Sequence, residues 1–302
     1  MLLIGDCFKK IDEIDRKSVQ AIVTSPPYWG LRDYQKDGQL GEEPTPEEFV
    51  QRLTLLFNKC KRVLKDDGTL WINIGDTYFG AKGGHWDGGN SITNDGTGHN
   101  YRIHRKAPPK HSRIKTRDLC GVPWMLAFSL QKDGWYLRQD IIWHKPNPMP
   151  EAVKNGCVKS HEYIFLLSLN QKYYFDYEAI QEPAKYAGDN RASRKDSRRD
   201  EPLAASMAAE SQPTGEFRNK RDVWSINTAQ SGEAHFAVFP EKLPELCIKA
   251  GTKEGDVVLA PFMGSGTTAT VAKRLSRDWI GIELNEEYAT FINNKTAQEE
   301  LF

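Results

Sequence analysis

The chain has 302 residues, 39% hydrophobic and 27% charged, enough for one large α/β domain with an insertion or for two modest domains, and a disordered or fibrous polymer is excluded. Its 41 Lys and Arg balance 41 Asp and Glu, so no overall positive field marks a nucleic-acid partner. The longest apolar stretch, Tyr163 to Leu169, falls far short of the roughly 20 residues that span a bilayer, Met1 to Ile4 meets Asp6 too soon for a signal peptide, and the five scattered cysteines lack metal-ligand or redox spacing. A soluble, cytoplasmic protein without a membrane partner or a metal is expected.

In chain order, Gly5 and Asp6 precede a first predicted strand, Ala21 to Thr24, which stops at Pro26 and Pro27. Thr45, Pro46 and Glu48 form an N-cap, a first-turn proline and a capping-box acid. Phe49, Leu53, Leu56, Phe57, Cys60, Val63 and Leu64 follow on one helical face, and Gly68 is read as the stop. Thr69 to Ile74 is a strand, completing the strand–helix–strand unit of a parallel sheet. A helix near Val122 to Leu130 and strands at Leu137 to Trp143 and His161 to Leu167 come next. The last third repeats the alternation: a helix from Pro240 to Ala250 closed by Gly251, a strand Asp256 to Leu259, a helix Gly266 to Leu275, a strand Trp279 to Glu283 and a helix from Glu286 onward.

Two long stretches, 80–117 and 184–232, are rich in Gly, Ser, Asn and Arg and too long for ordinary connections. They also show where the zero net charge comes from. Tyr101 to Arg117 carries Arg102, Arg105, Lys106, Lys110, Arg113, Lys115 and Arg117 with no acid, and a diluted basic stretch runs from Lys185 to Arg221. The compensating acids cluster at Glu42, Glu43, Glu47 and Glu48 and in the tail.

Two motifs carry chemistry. Val257 to Ala260 is a buried strand running into Phe262, Gly264, Ser265, Gly266, Thr267 and Thr268, a glycine loop that opens a helix, and the next strand ends in Glu283, a carboxylate placed to accept both hydroxyls of a ribose. No Gly-Lys-Thr ending and no third glycine are present, so neither a P-loop nor a dinucleotide fingerprint fits. An adenosine cofactor without a pyrophosphate does. The second motif is Thr24, Ser25, Pro26, Pro27, Tyr28 and Trp29, a polar residue, two rigid prolines and an aromatic pair at a strand end.

With Ser25 to Tyr28 as a Ser-Pro-Pro-Tyr motif and Phe262 to Gly266 as a Phe-x-Gly-x-Gly motif, the chain resembles the DNA amino-methyltransferases that use S-adenosylmethionine, in their β arrangement, catalytic motif first. Gly5 to Cys7, Leu64 to Gly68, Trp143 to Pro148, His161 to Tyr163 and His235 to Pro240 extend the resemblance over nearly the whole chain. Ala260 departs from it, standing where Asp is frequent in the family. The resemblance implies a Rossmann-like methyltransferase fold, α/β, with a mostly parallel sheet, helices on both faces and loop-rich recognition insertions. Residues 1–183 form the catalytic part with the basic loop 80–117, 184–232 the target-recognition insertion, and 233–302 the cofactor-binding part.

The same resemblance assigns roles: Ser25, Pro26, Pro27 and Tyr28 to catalysis; Asp6, Cys7, Thr24, Phe262, Gly264, Ser265, Gly266, Thr267, Thr268 and Glu283 to the cofactor; and Trp29, Arg32, Arg102, Arg105, Lys106, Trp143 and Lys145 to double-stranded DNA. A companion restriction endonuclease is admitted as a partner, in a bacterial, archaeal or phage-infected cell, and the oligomeric state is left open. His161 and Glu162 read as a site-lining pair or as structural residues, and Asp76 as at most a cap. Methylation at cytosine C5 requires a thiolate, usually after a proline, and no cysteine here follows one. In the family that the chain resembles, a leading Ser goes mostly with the N4 amine of cytosine and Asp or Asn with adenine N6, so the resemblance implies N4-cytosine. The alternatives are the N6 amine of adenine and an inactive DNA-binding protein with the same fold, which Ala260 favours.

Overall fold

A computed structural model describes residues 1–30, 36, 38–80, 92–94, 100–102, 111, 113–148, 154, 156–184, 216–229 and 239–298. It divides into two compact units, Met1–Phe175 with Asp222–Phe302, and Asp176–Arg221.

The first unit is built on a sheet of eight strands: β1 (Leu2–Ile4), β2 (Val19–Thr24), β3 (Leu64–Ile74), β6 (Tyr136–His144), β7 (His161–Ser168), β10 (Val223–Ser225), β11 (Val257–Ala260) and β12 (Asp278–Glu283). Their spatial order is β1-β12-β11-β2-β3-β7-β6-β10, and every pairing is parallel except the two made by β7. β4 (Ile92–Asn94) and β5 (Asn100–Arg102) form a separate antiparallel pair.

Helices cover both faces of this sheet. Ile22, Leu70 and Ile72 share a core with Phe49, Leu53 and Phe57 of α2 (Pro46–Cys60) and Leu126 and Leu130 of α3 (Val122–Lys132), and α1 (Cys7–Lys10) packs on α2. The residues of opposite parity, Ala21, Thr69 and Trp71, lie against Gly251 at the end of α4 (Lys242–Gly251), which packs on α5 (Thr267–Arg274), itself in contact with α6 (Glu287–Gln298). Successive strand residues point to opposite faces, so both faces are dry, and all six residues of β2 are buried accordingly. The architecture is the expected α/β sheet with a Rossmann-like, mostly parallel order.

Two local readings are corrected. The Thr45 hydroxyl accepts from the Glu48 N–H at 3.2 Å, as the capping pattern predicts, but α2 ends at Cys60 and Gly68 lies inside β3. A Cβ on Gly68 would come within 2.8 Å of the Gln20 carbonyl oxygen on β2, so that glycine serves strand contact and not helix termination. The first strand is β1, ahead of Gly5 and not after it; its three half-buried edge residues carry too little periodicity to be read locally.

In the second unit, β8 (Glu182–Pro183) pairs with β9 (Phe217–Arg218), and Glu182 accepts from Arg218 and Arg221 at 3.0 and 2.7 Å. Those cations hold its carboxyl below the usual value against the opposing effect of burial. Most of the expected insertion 184–232 lies outside the described residues. Among the described residues no helix is long and apolar enough to cross a membrane.

A candidate active site at one edge of the sheet

Because β1, β12, β11, β2, β3 and β6 run the same way, their C-terminal ends open on one edge, and antiparallel β7 brings its first residues there, with Tyr163 opposite Ile74 and Ile164 opposite Asn73. From β11 the chain crosses through α5 to β12 on one side, and from β2 through α2 to β3 on the other. The β11–β2 boundary is therefore the switch point of the sheet, where α/β proteins place a ligand crevice. The two motifs emerge there side by side.

On the β11 side, Gly264 and Gly266 both have positive φ, 54° and 77°, a conformation that side chains other than glycine's rarely tolerate, and the Cβ direction of Gly264 is open space. The loop delivers α5 with its N-terminus at the crevice, and the Ser265 and Thr267 hydroxyls lie 3.1 Å apart. Glu283, the last residue of β12, accepts from the Gly264 N–H at 2.8 Å through one oxygen and from the Asn285 N–H at 2.9 Å through the other. Burial pushes its carboxyl above the usual value despite those bonds. Gly5 N–H donates to the Glu283 carbonyl at 2.8 Å, bringing Asp6 alongside, where it caps α1 by accepting from Phe8 N–H at 2.9 Å. Cys7 begins α1, and burial raises its thiol to about 12, so it stays protonated. Phe262 packs against the main core, Thr267 and Thr268 are buried, and Ala260 sits in an apolar cluster with Met263, Ala269 and Ile292.

On the β2 side, the buried Thr24 hydroxyl has no hydrogen-bond partner among the described residues. An orphan of this kind at a crevice is a seat for a ligand group. Pro26 is buried while Ser25, Pro27 and Tyr28 are partly exposed. Tyr28 donates to a Glu162 carboxylate oxygen at 2.5 Å, with Asn73 Oδ1 3.5 Å away. Burial, and then the Glu162 charge, raises the Tyr28 hydroxyl well above its usual 10, so it remains a donor. Glu162 also accepts from Asn73 Nδ2 at 3.2 Å and pairs with Lys145, whose ammonium lies 4.4 Å from the Trp143 ring centroid.

Of the residues expected at DNA, two are largely buried. Trp29 is 7% exposed, stacked on Phe79, and donates to the Glu43 carbonyl at 2.9 Å; Trp143 is 4% exposed and donates to the Ile226 carbonyl at 2.7 Å. Both rings are buried in this chain by itself, apolar indoles being drawn inward and their N–H groups satisfied by backbone. Lys145 pairs with Glu162, its side chain 19% exposed. Arg102 belongs to β5, while Arg32, Arg105 and Lys106 lie outside the described residues. The base of the basic loop is pinned next to β3: Phe79 N–H donates to the Asp118 carbonyl at 2.8 Å and Arg117 N–H to the Phe79 carbonyl at 2.9 Å. The loop thus leaves from the same edge as the two motifs. Asp76 bridges there too, accepting from the N–H groups of Gly121 at 2.9 Å and Val122 at 3.1 Å, which caps α3.

Asn73 and Gly75 carry no role in the sequence reading, and Glu162 only that of a site-lining or structural residue. A polar residue inside the apolar run Leu70 to Ile74 was the available signal for Asn73, and an acid at the head of a strand as apolar as Tyr163 to Leu167 was the signal for Glu162.

Comparison with known proteins gives consistent matches. The model of the N6/N4 methyltransferase family, described as DNA methylase, matches residues 19–294. Type II methyltransferase M.SmaI of Serratia marcescens is 45% identical over 97% of this chain and 89% of its own length, and Type II methyltransferase M.Cfr9I of Citrobacter freundii 43% identical over 99% and 88%. Among solved structures, the PvuII DNA methyltransferase (cytosine-N4-specific) superimposes with a TM-score of 0.65 at 19% identity, covering 98% of this chain and 85% of that one. A putative DNA modification methylase from Thermus thermophilus, complexed with S-adenosyl-L-methionine, does so with a TM-score of 0.60 at 23% identity, covering 99% and 93%. These two likenesses concern the fold.

Proposed function

This chain belongs to the DNA methylase family, and we propose that within it the protein transfers a methyl group from S-adenosylmethionine to the exocyclic N4 amine of a cytosine flipped out of duplex DNA. The observation that carries the reading is the convergence of the glycine loop and the Ser25–Tyr28 motif at the β11–β2 switch point. The 45% and 43% identities to two Type II methyltransferases support a modification enzyme of a restriction system, acting in the cytoplasm, with a cognate nuclease as its functional counterpart.

The residues present fit the cofactor. Glu283 offers a buried carboxylate already oriented by two N–H groups, the Gly264–Gly266 loop brings backbone and a helix N-terminus to the same place, Asp6 stands adjacent, and the Thr24 hydroxyl awaits a partner. When bound, S-adenosylmethionine supplies an electrophilic methyl on a sulfonium.

The chain's own residues must then make a poor nucleophile attack. The lone pair of an exocyclic amine is delocalised into the ring, so two acceptors that grip the amine hydrogens turn it toward the methyl group. The Ser25 Oγ and the Pro26 carbonyl take that role, and the two prolines fix the backbone that presents them. Tyr28 provides the stacking surface for the extruded base. After transfer the amine sheds its surplus proton to water, so no general base is required.

Duplex substrates separate cytosine from adenine. Targets whose cytosines already carry an N4 methyl are expected to accept no label, while targets carrying N6-methyladenine accept as much as unmodified DNA. The reverse pattern would transfer the reading to the N6 amine of adenine.

Arg32, Arg102, Arg105 and Lys106 are proposed to meet the DNA backbone, with 184–232 as the recognition insertion. Charge reversal at Arg105 and Lys106 is expected to weaken binding at low salt and to flatten the slope of log affinity against log salt by about 2. An unaltered slope would place the basic loop away from the DNA.

A further inference from the structure

We infer that Glu162 is a positioning residue for Tyr28, holding its ring at the angle at which the flipped base is stacked; the inference rests on the stacking role proposed for Tyr28. A tyrosine at a loop start can swing about its Cα–Cβ bond between staggered rotamers, and the Tyr28 ring is only partly covered by the core it packs against. Here the hydroxyl is held at the far end by a bond of 2.5 Å to a carboxylate that is itself only 9% exposed. Charge-assisted bonds of this kind are shorter and about twice as strong as neutral ones.

Glu162 is in turn fixed from every side. The Asn73 amide on β3 donates to the same oxygen, the Lys145 ammonium at the end of β6 takes the other, and Asn73 is locked by its bond to the Tyr163 carbonyl at 3.2 Å. Gly75 completes the slot: a Cβ there would lie 2.9 Å from Tyr28 Cε2 and 3.2 Å from the Glu162 carboxyl carbon, so only a residue without a side chain lets ring and carboxylate meet.

A buried ion pair is weak evidence for stability, because desolvation offsets most of the attraction. A pair retained at the end of the tyrosine beside Ser25 is accounted for by orientation, since reactivity falls steeply when a reacting group is misplaced.

The test is a set of single-turnover methyl-transfer rates at saturating cofactor and DNA. Glu162→Leu, which removes the acceptor at similar volume, and Tyr28→Phe, which removes the hydroxyl and keeps the ring, are each expected to lose about tenfold. Combining them is expected to lose about tenfold again and not about a hundredfold, because both break the same bond. Glu162→Gln breaks the Lys145 ion pair but keeps an acceptor for the tyrosine, and is expected to stay within about threefold of the parent. Additive losses in the double variant, or a Gln variant as slow as the Leu variant, would overturn the inference and leave Glu162 as packing. If Glu162→Leu does not fold because Lys145 is left without its partner, Lys145→Met with Glu162→Leu removes both charges, and the rate comparison with and without Tyr28→Phe is read in the same way. A Tyr28→Ala enzyme of undiminished turnover would instead remove the stacking role itself, so the two failures are separable.

Discussion

Tyr28→Ala is expected to cut the methyl-transfer rate on duplex DNA by about 10- to 100-fold while leaving cofactor affinity within about twofold. The size follows from base–aromatic stacking, about 1–3 kcal/mol per base, which is lost entirely when the ring is removed. The selectivity follows from position: Tyr28 belongs to the loop after β2 and contacts Glu162 and Asn73, whereas the glycine loop and Glu283 are tied to β11 and β12. Calorimetry with S-adenosylmethionine and single-turnover rates on one preparation give both quantities. Equal losses in the two would show that Tyr28 supports the cofactor pocket and is not the stacking surface.

The second large effect is expected at Glu283. Glu283→Gln should weaken S-adenosylmethionine about a hundredfold, since each hydrogen bond to a charged acceptor contributes about 1.5–3 kcal/mol and the amide can accept through only one of its two ends. The wild-type affinity should also depend on pH with a definite sign. In the proposed role the ionised carboxylate is the form that accepts ribose hydroxyls, and burial raises its pKa above the usual 4.5. Affinity is then full near neutrality, begins to fall below that raised value and drops up to tenfold per pH unit as the carboxyl protonates. In Glu283→Gln this limb is expected to vanish. A variant that kept the acid limb would assign it to another group.

The elements whose signal is local were legible in the sequence. The start of α2 is written in Thr45, Pro46 and Glu48, and the structure places the cap bond there. Its end was not, because Gly68 resembles a helix stop on the chain and reveals its purpose only when the Gln20 carbonyl of β2 lies against it. The same boundary divides the site. The two motifs could be read because each is contiguous: a strand end with Ser25 to Tyr28, and a strand end with Phe262 to Gly266.

That Tyr28 is held by Glu162 could not be read, since it depends on β7 inserting antiparallel between β3 and β6 in one register, Ile74 against Tyr163. A one-residue slip of that strand would turn the carboxylate to the other face of the sheet. The burial of Trp29 and Trp143 could not be read for a related reason: motif proximity is a sequence property, but burial belongs to the whole fold.

Net charge is the other quantity that changed meaning with position. The balance of 41 against 41 speaks against nucleic acid only if the charges are mixed. Arg117 of the uninterrupted basic run is tied to Phe79 beside the edge that carries both motifs, and Arg113 of the same run reaches Glu47 in the first turn of α2 at 3.6 Å. A neutral chain can in this way carry a locally basic segment.

The most direct measurement is the identity of the methylated nucleoside. Duplex DNA incubated with the protein and S-adenosylmethionine carrying a labelled methyl group, then digested to nucleosides and separated, is expected to yield label in N4-methylcytosine alone, and none when Ser25→Ala with Tyr28→Ala replaces the parent protein. Label in N6-methyladenine, or no label from the parent protein under conditions where it binds the cofactor, would contradict the account.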